Sequence, residues 1–209
     1  MTDRRTPRGP RKRVASQVPL PLWQAAVAFA ARAHRHQIRK DGATPYVSHV
    51  YRVALTVSQV FGCSDETVLA IALLHDTIED TTTDYDDIHE RFGQTVADGV
   101  AALTKNMALP EPIREPAYDQ QLAAAPWYVR LVKLADAFDN LCDVASLRPD
   151  LAEERRRDAA DKARRAIAIA NPDAAEHPEI RVAIAALGKL LGSDRPPGAG
   201  RRGKSRRDR

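Results

Sequence analysis

The chain has 209 residues, 44% of them hydrophobic and 29% charged, with a formal net charge of +4. That length suits one domain with a sizeable core and excludes a synthetase–hydrolase pair or a larger multidomain machine. The positive charge is confined to the ends: residues 1–17 and 193–209 each carry a net +5, which leaves the body, residues 18–192, at −6.

Gly, Pro and basic residues dominate both tails. Such segments cannot bury enough surface to offset their ordering entropy, and both are expected to be disordered. Over 22–38, Leu22, Ala26, Phe29, Ala30 and Ala33 recur at a helical period. Ser48 is placed to cap a second helix that runs to about Phe61 and stops at Gly62. Asp65 caps a third over 66–75, whose Val68, Leu69, Ile71, Ala72, Leu73 and Leu74 make it apolar nearly all round, so it belongs in the core. Further helices are expected over 84–92 before Gly93, over 94–103, over 118–124 between prolines, and over 127–147 after Pro126. The segment 151–170 sets a charged face against Ala163, Ala166, Ile167 and Ala170, and Pro178 opens a last helix that stops at Gly192. Alternating runs of β-branched and aromatic residues are missing, so the fold class is all-α.

Cys63 and Cys142 form neither a metal-spaced pair nor a disulfide framework, which points to a reducing compartment and a cytoplasmic location. No apolar run approaches the ~18 residues of a membrane span. The short Ala-rich stretch 25–31 follows Pro19 and Pro21 and reads as an amphipathic helix rather than a signal peptide.

The chemistry concentrates at the end of the apolar helix, in His75-Asp76-Thr77-Ile78-Glu79-Asp80. Unpaired charge is costly to bury, so four ionisable groups there need a purpose. Residues four apart share a helix face, which puts His75 beneath Glu79 and Asp76 beneath Asp80. One turn then offers two metal ligands and the next offers two free carboxylates for acid–base work. Two further ligands are required. His49 stands at a helix start after the Gly42–Tyr46 turn, and Asp136 sits amid Leu131, Val132, Leu134, Ala135, Phe138 and Leu141, with Asn140 one turn on. Two imidazoles and two carboxylates make a mixed nitrogen–oxygen site suited to Mn2+, Fe2+ or Zn2+.

The series Arg39-Lys40…Tyr46-Val-Ser-His49, Leu74-His75-Asp76-Thr-Ile-Glu79-Asp80-Thr81, Phe92-Gly93, Leu103-Thr104-Lys105 and Val132-Lys133-Leu-Ala-Asp136…Asn140 resembles the hydrolase domain of RelA/SpoT proteins. More narrowly it is similar to the stand-alone small alarmone hydrolases of the HD superfamily. The resemblance covers residues 22–147. It implies an all-α HD-domain helical bundle over 18–192, one Mn2+, and hydrolysis of the 3′-pyrophosphate of guanosine 3′,5′-bispyrophosphate (ppGpp) or its pentaphosphate (pppGpp). Matched by position, His49, His75, Asp76 and Asp136 are the metal ligands. Glu79 and Asp80 match the pair that activates the attacking water. Arg39 and Lys40 match basic residues of the nucleotide pocket and Asn140 a residue near the ribose and phosphates, and Lys133 is a further cation for substrate binding. Independently of the resemblance, a highly anionic pyrophosphate ester calls for a metal and local cations.

The sequence departs from the family at Val50, where proline is common, and at Ala137 and Ile38, where relatives often carry a basic residue. None of these removes a proposed ligand. His34 and His36 read as structural or exposed, His89 as a surface residue, 153–157 as a solvated helix face, and Trp23 and Trp127 as packing anchors. Two other readings stay open: an HD hydrolase acting on another nucleotide, such as the 2′-phosphate of NADPH, and a nucleic-acid or ribosome-associated binder whose basic tails hold an anionic partner.

Overall fold

The helix that is apolar on every side is the one around which the chain folds. In the computed structural model, which describes residues 20–145 and 149–193, α3 (Glu66–Leu74) buries Val68, Ala70, Ile71, Ala72, Leu73 and Leu74. Asp65 caps it as expected, its Oδ1 accepting from the backbone N–H groups of Thr67 and Val68 at 2.8 and 3.1 Å. Around it pack α1 (Leu22–Ala33), α2 (Val47–Leu55), α6 (Gln94–Leu103) and α8 (Trp127–Ala145). Gly99 of α6 allows the closest approach, since a Cβ there would lie 2.5 Å from Ile71 Cδ1.

The remaining elements are α4 (Thr77–Asp80), α5 (Tyr85–Phe92), α7 (Glu111–Ala124), α9 (Pro149–Ala170), a 3-10 turn (Asn171–Ala175) and α10 (Pro178–Ser193). Asp84 closes a full capping box with Asp87 at the start of α5. A stripe of small side chains, Ala159, Ala160, Ala163, Ala166 and Ala170, lets α9 lie flat on α8. Arg130 of α8 reaches Asp173 with two bonds of 2.5 and 2.8 Å and donates to the last carbonyls of α7 at Leu122 and Ala123. Among the described residues the only β feature is a single bridge between Ile38 and Pro45. The all-α expectation holds.

Several boundaries differ from expectation. The first helix ends at Ala33 rather than Ile38, because the chain turns through His34–His36 into the β bridge. Ser48 is not a cap: Tyr46 is already helical at φ −56° and ψ −37°, so α2 begins at Val47 and Ser48 lies inside it. That helix continues to Val60 through a π-helical turn, Thr56–Val60, before Gly62 with φ 82°. The seventh helix is longer than 118–124. Pro112 falls in its first turn, where no N–H is needed, and Pro116 removes only the bond to the exposed Pro112. Trp23 is 40% exposed and anchors little, whereas Trp127 stacks on His177 at 4.1 Å. The tails 1–17 and 193–209 lie outside the described residues except for Ser193, as do 146–148 at the expected end of α8. No helix among the described residues is long and apolar enough to cross a membrane.

Candidate active site

The helix carrying His75 does not run on to Asp80. It ends at Leu74, and Asp76, at φ −98° and ψ −1°, bends the chain into the single turn α4. Of the expected stacking, the i to i+4 step from Asp76 to Asp80 survives as a 2.9 Å backbone bond. The break is local chemistry: Thr77 turns its hydroxyl back onto the Leu74 carbonyl at 2.6 Å, in competition with the helical ladder. The bend points His75 and Asp76 inward.

There they meet α2 and α8. His49, His75 and Asp136 each offer one ligand atom within 4.8 Å of the others. His49 Nε2 lies 3.3 Å from Asp136 Oδ1 and 3.5 Å from Asp76 Oδ2, and His75 Nε2 lies 3.0 Å from Asp76 Oδ2 and 4.0 Å from Asp136 Oδ1. Both histidines are buried, at 1% and 4% exposure. His75 Nδ1 donates to the Ala72 carbonyl at 2.8 Å, which leaves Nε2 a bare acceptor, and this buried atom has no hydrogen-bond partner. Atoms that share a cation about 2.1 Å away are separated by these same few ångströms. His49, His75 and Asp136 therefore fit a divalent metal in spacing, in donor type and in the lone pair left unused, and Asp76 Oδ2 lies against both imidazoles.

The electrostatics agree. Burial opposes a charge on His49, yet the carboxylates of Asp136, Asp139 and Asp76 push its pKa well above the ordinary value. Burial likewise opposes charge on His75, but Asp76 and Asp136 raise its pKa. Asp136 is held far below the usual carboxylate range, against its burial, by Lys133 and His49. The centre is thus a place of negative potential that favours a cation.

Around it the expected residues separate by environment. Glu79 Oε2 accepts from the Lys105 backbone N–H at 2.8 Å, and burial together with the charges of Asp76 and Asp80 raises its pKa. Asp80 is raised by the same two causes, burial and Asp76. Lys133 Nζ and Asn140 Nδ2 donate to the two oxygens of Asp136 at 2.7 and 2.6 Å. Arg39 donates to Asp143 at 2.6 Å, and Lys40 is exposed at the rim. The bridge and an Asx turn hold both: Asp41 Oδ1 accepts from the backbone N–H groups of Ala43 and Thr44 at 2.9 Å each. Arg39, Lys40, Glu79, Asp80, Lys133 and Asn140 line one cavity of about 400 Å³ together with His49, His75, Asp76 and Asp136.

The sequence reading missed part of this wall. Tyr46, Lys105, Tyr118, Asp143, Arg155, Asp158 and Lys162 also line the cavity. Arg155, Asp158 and Lys162 recur at helical spacing along α9 and were discernible as one stripe, but nothing local showed that it faces inward. Asp139 and Arg52 were equally hidden. His34 is buried beside the site, with its ring 5.0 Å from that of Tyr46, while His89 is exposed.

An all-helical bundle with His-Asp at the end of its central helix, facing a second His and a second Asp, has the HD arrangement. A model of the HD domain matches residues 26–165, and the chain belongs to that family. It is similar to the human guanosine-3′,5′-bis(diphosphate) 3′-pyrophosphohydrolase MESH1, 40% identical over 132 residues that cover 63% of this chain and 74% of that protein. The Drosophila melanogaster MESH1 is 36% identical over 141 residues, 67% of this chain and 79% of the relative. A solved structure described as a metazoan orthologue of SpoT that hydrolyses ppGpp matches with a TM-score of 0.73 at 28% identity, covering 84% of this chain and 96% of that one. The resemblance to RelA/SpoT-type hydrolases carried by the motifs is thereby borne out.

Proposed function

We propose that this HD-domain hydrolase removes the 3′-pyrophosphate of ppGpp or pppGpp, releasing pyrophosphate and GDP or GTP, with Mn2+ as its metal. The observation that carries the reading is the His/Asp cluster at the base of a cavity whose walls bear Arg39, Lys40, Lys105, Lys133, Arg155 and Lys162. Six carboxylates line the same cavity, so it suits a ligand with several phosphates once a divalent cation offsets the acidic cluster.

His49, His75, Asp76 and Asp136 would hold the metal, and the mixed nitrogen–oxygen set suits Mn2+. When bound, the metal supplies charge screening for the phosphates and a more acidic water. Glu79 and Asp80 together position the attacking water and Glu79 takes its proton, the direction of the Glu79 carboxylate being fixed by the Lys105 amide. Lys133 and Asn140 orient Asp136 from the cavity side. Arg39 and Lys40 take up phosphate at the rim. We read the protein as cytoplasmic, with the basic tails offering a weak site for an anionic partner.

The test is an assay of Mn2+-loaded protein against ppGpp, pppGpp and NADPH, with separate detection of pyrophosphate and orthophosphate. Pyrophosphate from the guanosine substrates, lost in Glu79→Gln, is the expected result. Orthophosphate from NADPH alone would move the substrate to the 2′-phosphate. No turnover with metal bound would remove the hydrolase reading. Steeply salt-dependent RNA binding that disappears on removal of both tails, without turnover, would favour the binding protein.

A further inference from the structure

The two histidines of the centre are oriented by different means. His75 uses the backbone carbonyl of Ala72, three residues back, an acceptor that does not depend on any other side chain. His49 depends on another element: its Nδ1 lies 2.6 Å from Oδ2 of Asp139 on α8. Asp139 is 3% exposed, and Arg52 holds it through Nε to Oδ1 at 2.6 Å and Nη2 to Oδ2 at 2.9 Å. The arrangement pairs two helices at matched spacing. Helix α2 gives His49 and, three residues on, Arg52, and α8 gives Asp136 and, three residues on, Asp139.

Arg52 divides its guanidinium between Asp139 and Asp143, whose Oδ1 accepts from Nη2 at 3.2 Å, so Asp139 is held between His49 and a shared arginine. A carboxylate only accepts, so the proton shared with Asp139 resides on Nδ1, and Nε2, which faces Asp76 and Asp136, is the nitrogen that would bind a cation. Without Asp139 the ring is free to carry its proton on Nε2 and donate to either carboxylate, which closes that position to a cation.

We propose that Asp139, clamped by Arg52, is a positioning residue that fixes the orientation and tautomer of His49 and thereby sets the affinity of the centre for its divalent cation. The proposal rests on the metal-dependent reading above. Loss of such a contact behind a metal-binding histidine typically weakens metal affinity by about 10- to 100-fold. Asp139 itself does not line the cavity, and Asp143, shared by Arg39 and Arg52, keeps its bond of 2.6 Å to Arg39, so nucleotide binding should be spared.

The test is an Mn2+ titration of chelator-treated protein, with free Mn2+ read by electron paramagnetic resonance, for wild type, Asp139→Asn and Asp139→Ala. Asp139→Ala should raise the Mn2+ Kd by about 10- to 100-fold, with Asp139→Asn between it and wild type. At saturating Mn2+ the KM for nucleotide should match wild type. Unfolding midpoints of the metal-free proteins separate this role from a merely structural one, which would lower the midpoint and leave Kd unchanged. Folded variants with wild-type Kd overturn the proposal, and if Asp139→Ala does not fold, Asp139→Asn decides alone. A wild-type protein that takes up no Mn2+ would overturn the metal-dependent reading instead.

Discussion

The Tyr46 hydroxyl lies 2.6 Å from Asp76 Oδ2 and 3.1 Å from Asp80 Oδ2, so one phenol spans the carboxylate that faces both buried histidines and a second carboxylate of the cavity wall. Its single proton serves the shorter contact. Burial first, and then the charge of Asp76, holds its pKa far above the ordinary phenol value, so it remains a donor at alkaline pH. Tyr46→Phe removes the bond without changing the ring. A hydrogen bond to a charged group contributes about 1.5–3 kcal/mol, and we expect kcat to fall by about tenfold. Steady-state kinetics at saturating Mn2+ will measure it, and an unchanged kcat would mean that Asp76 is held without the phenol.

How much of this was legible in the sequence follows from how far each residue acts. The cap at Asp65 and the apolar α3 depend on neighbours within a turn and were read correctly. The break after Leu74 was not, although it too is local: the periodicity of apolar residues does not show a threonine hydroxyl that turns back onto the Leu74 carbonyl. His49, His75, Asp76 and Asp136 could be collected by residue type and by resemblance, although their convergence is a tertiary fact. Asp139 and Arg52 carry no local signal at all: their pairing joins residues 87 apart. The α9 wall of the cavity was likewise invisible until its direction was known.

Removal of the metal should abolish turnover reversibly. Treatment with a chelator is expected to silence the enzyme, and Mn2+ should restore it. Asp136→Asn goes further, since it weakens the cluster and leaves Lys133 without its carboxylate. We expect loss of detectable metal binding together with a stability loss of about 3 kcal/mol, because the ammonium stays half-buried and unpaired. Metal content after dialysis and urea unfolding measure the two effects separately. Wild-type metal content in this variant would remove Asp136 from the cluster.

The cations of the cavity should not contribute equally. Arg155 Nη1 is buried against the cavity without a hydrogen-bond partner among the described residues, whereas Lys40 is exposed and hydrated. A phosphate that meets Arg155 gains a contact with little water to displace. Arg155→Ala is expected to raise KM by about tenfold, the equivalent of one charge-assisted hydrogen bond, with kcat within a few-fold of wild type. Lys40→Ala should raise KM by only about two- to threefold. Kinetics at two salt concentrations will compare them, and an Arg155→Ala protein with wild-type KM would place the phosphates elsewhere.

The approach of α6 to α3 gives a test of packing that leaves the site untouched. Gly99 lies inside α6, and an added Cβ would stand 2.5 Å from Ile71 Cδ1 and 2.9 Å from Ile71 Cγ1. Alanine in a helix normally stabilises relative to glycine, by about 0.5–1 kcal/mol. Overpacking a core typically costs about 1–3 kcal/mol, so Gly99→Ala should be destabilising despite its better propensity. Ile71→Val alone removes the Cδ1 methyl and should cost about 1 kcal/mol through the void it leaves. In the double variant the alanine methyl occupies that void. The pair should therefore be less destabilised than the sum of the singles by about 1 kcal/mol, a coupling that urea unfolding of the four proteins can resolve. Additive losses would mean that α6 moves away from α3 instead of pressing on Ile71.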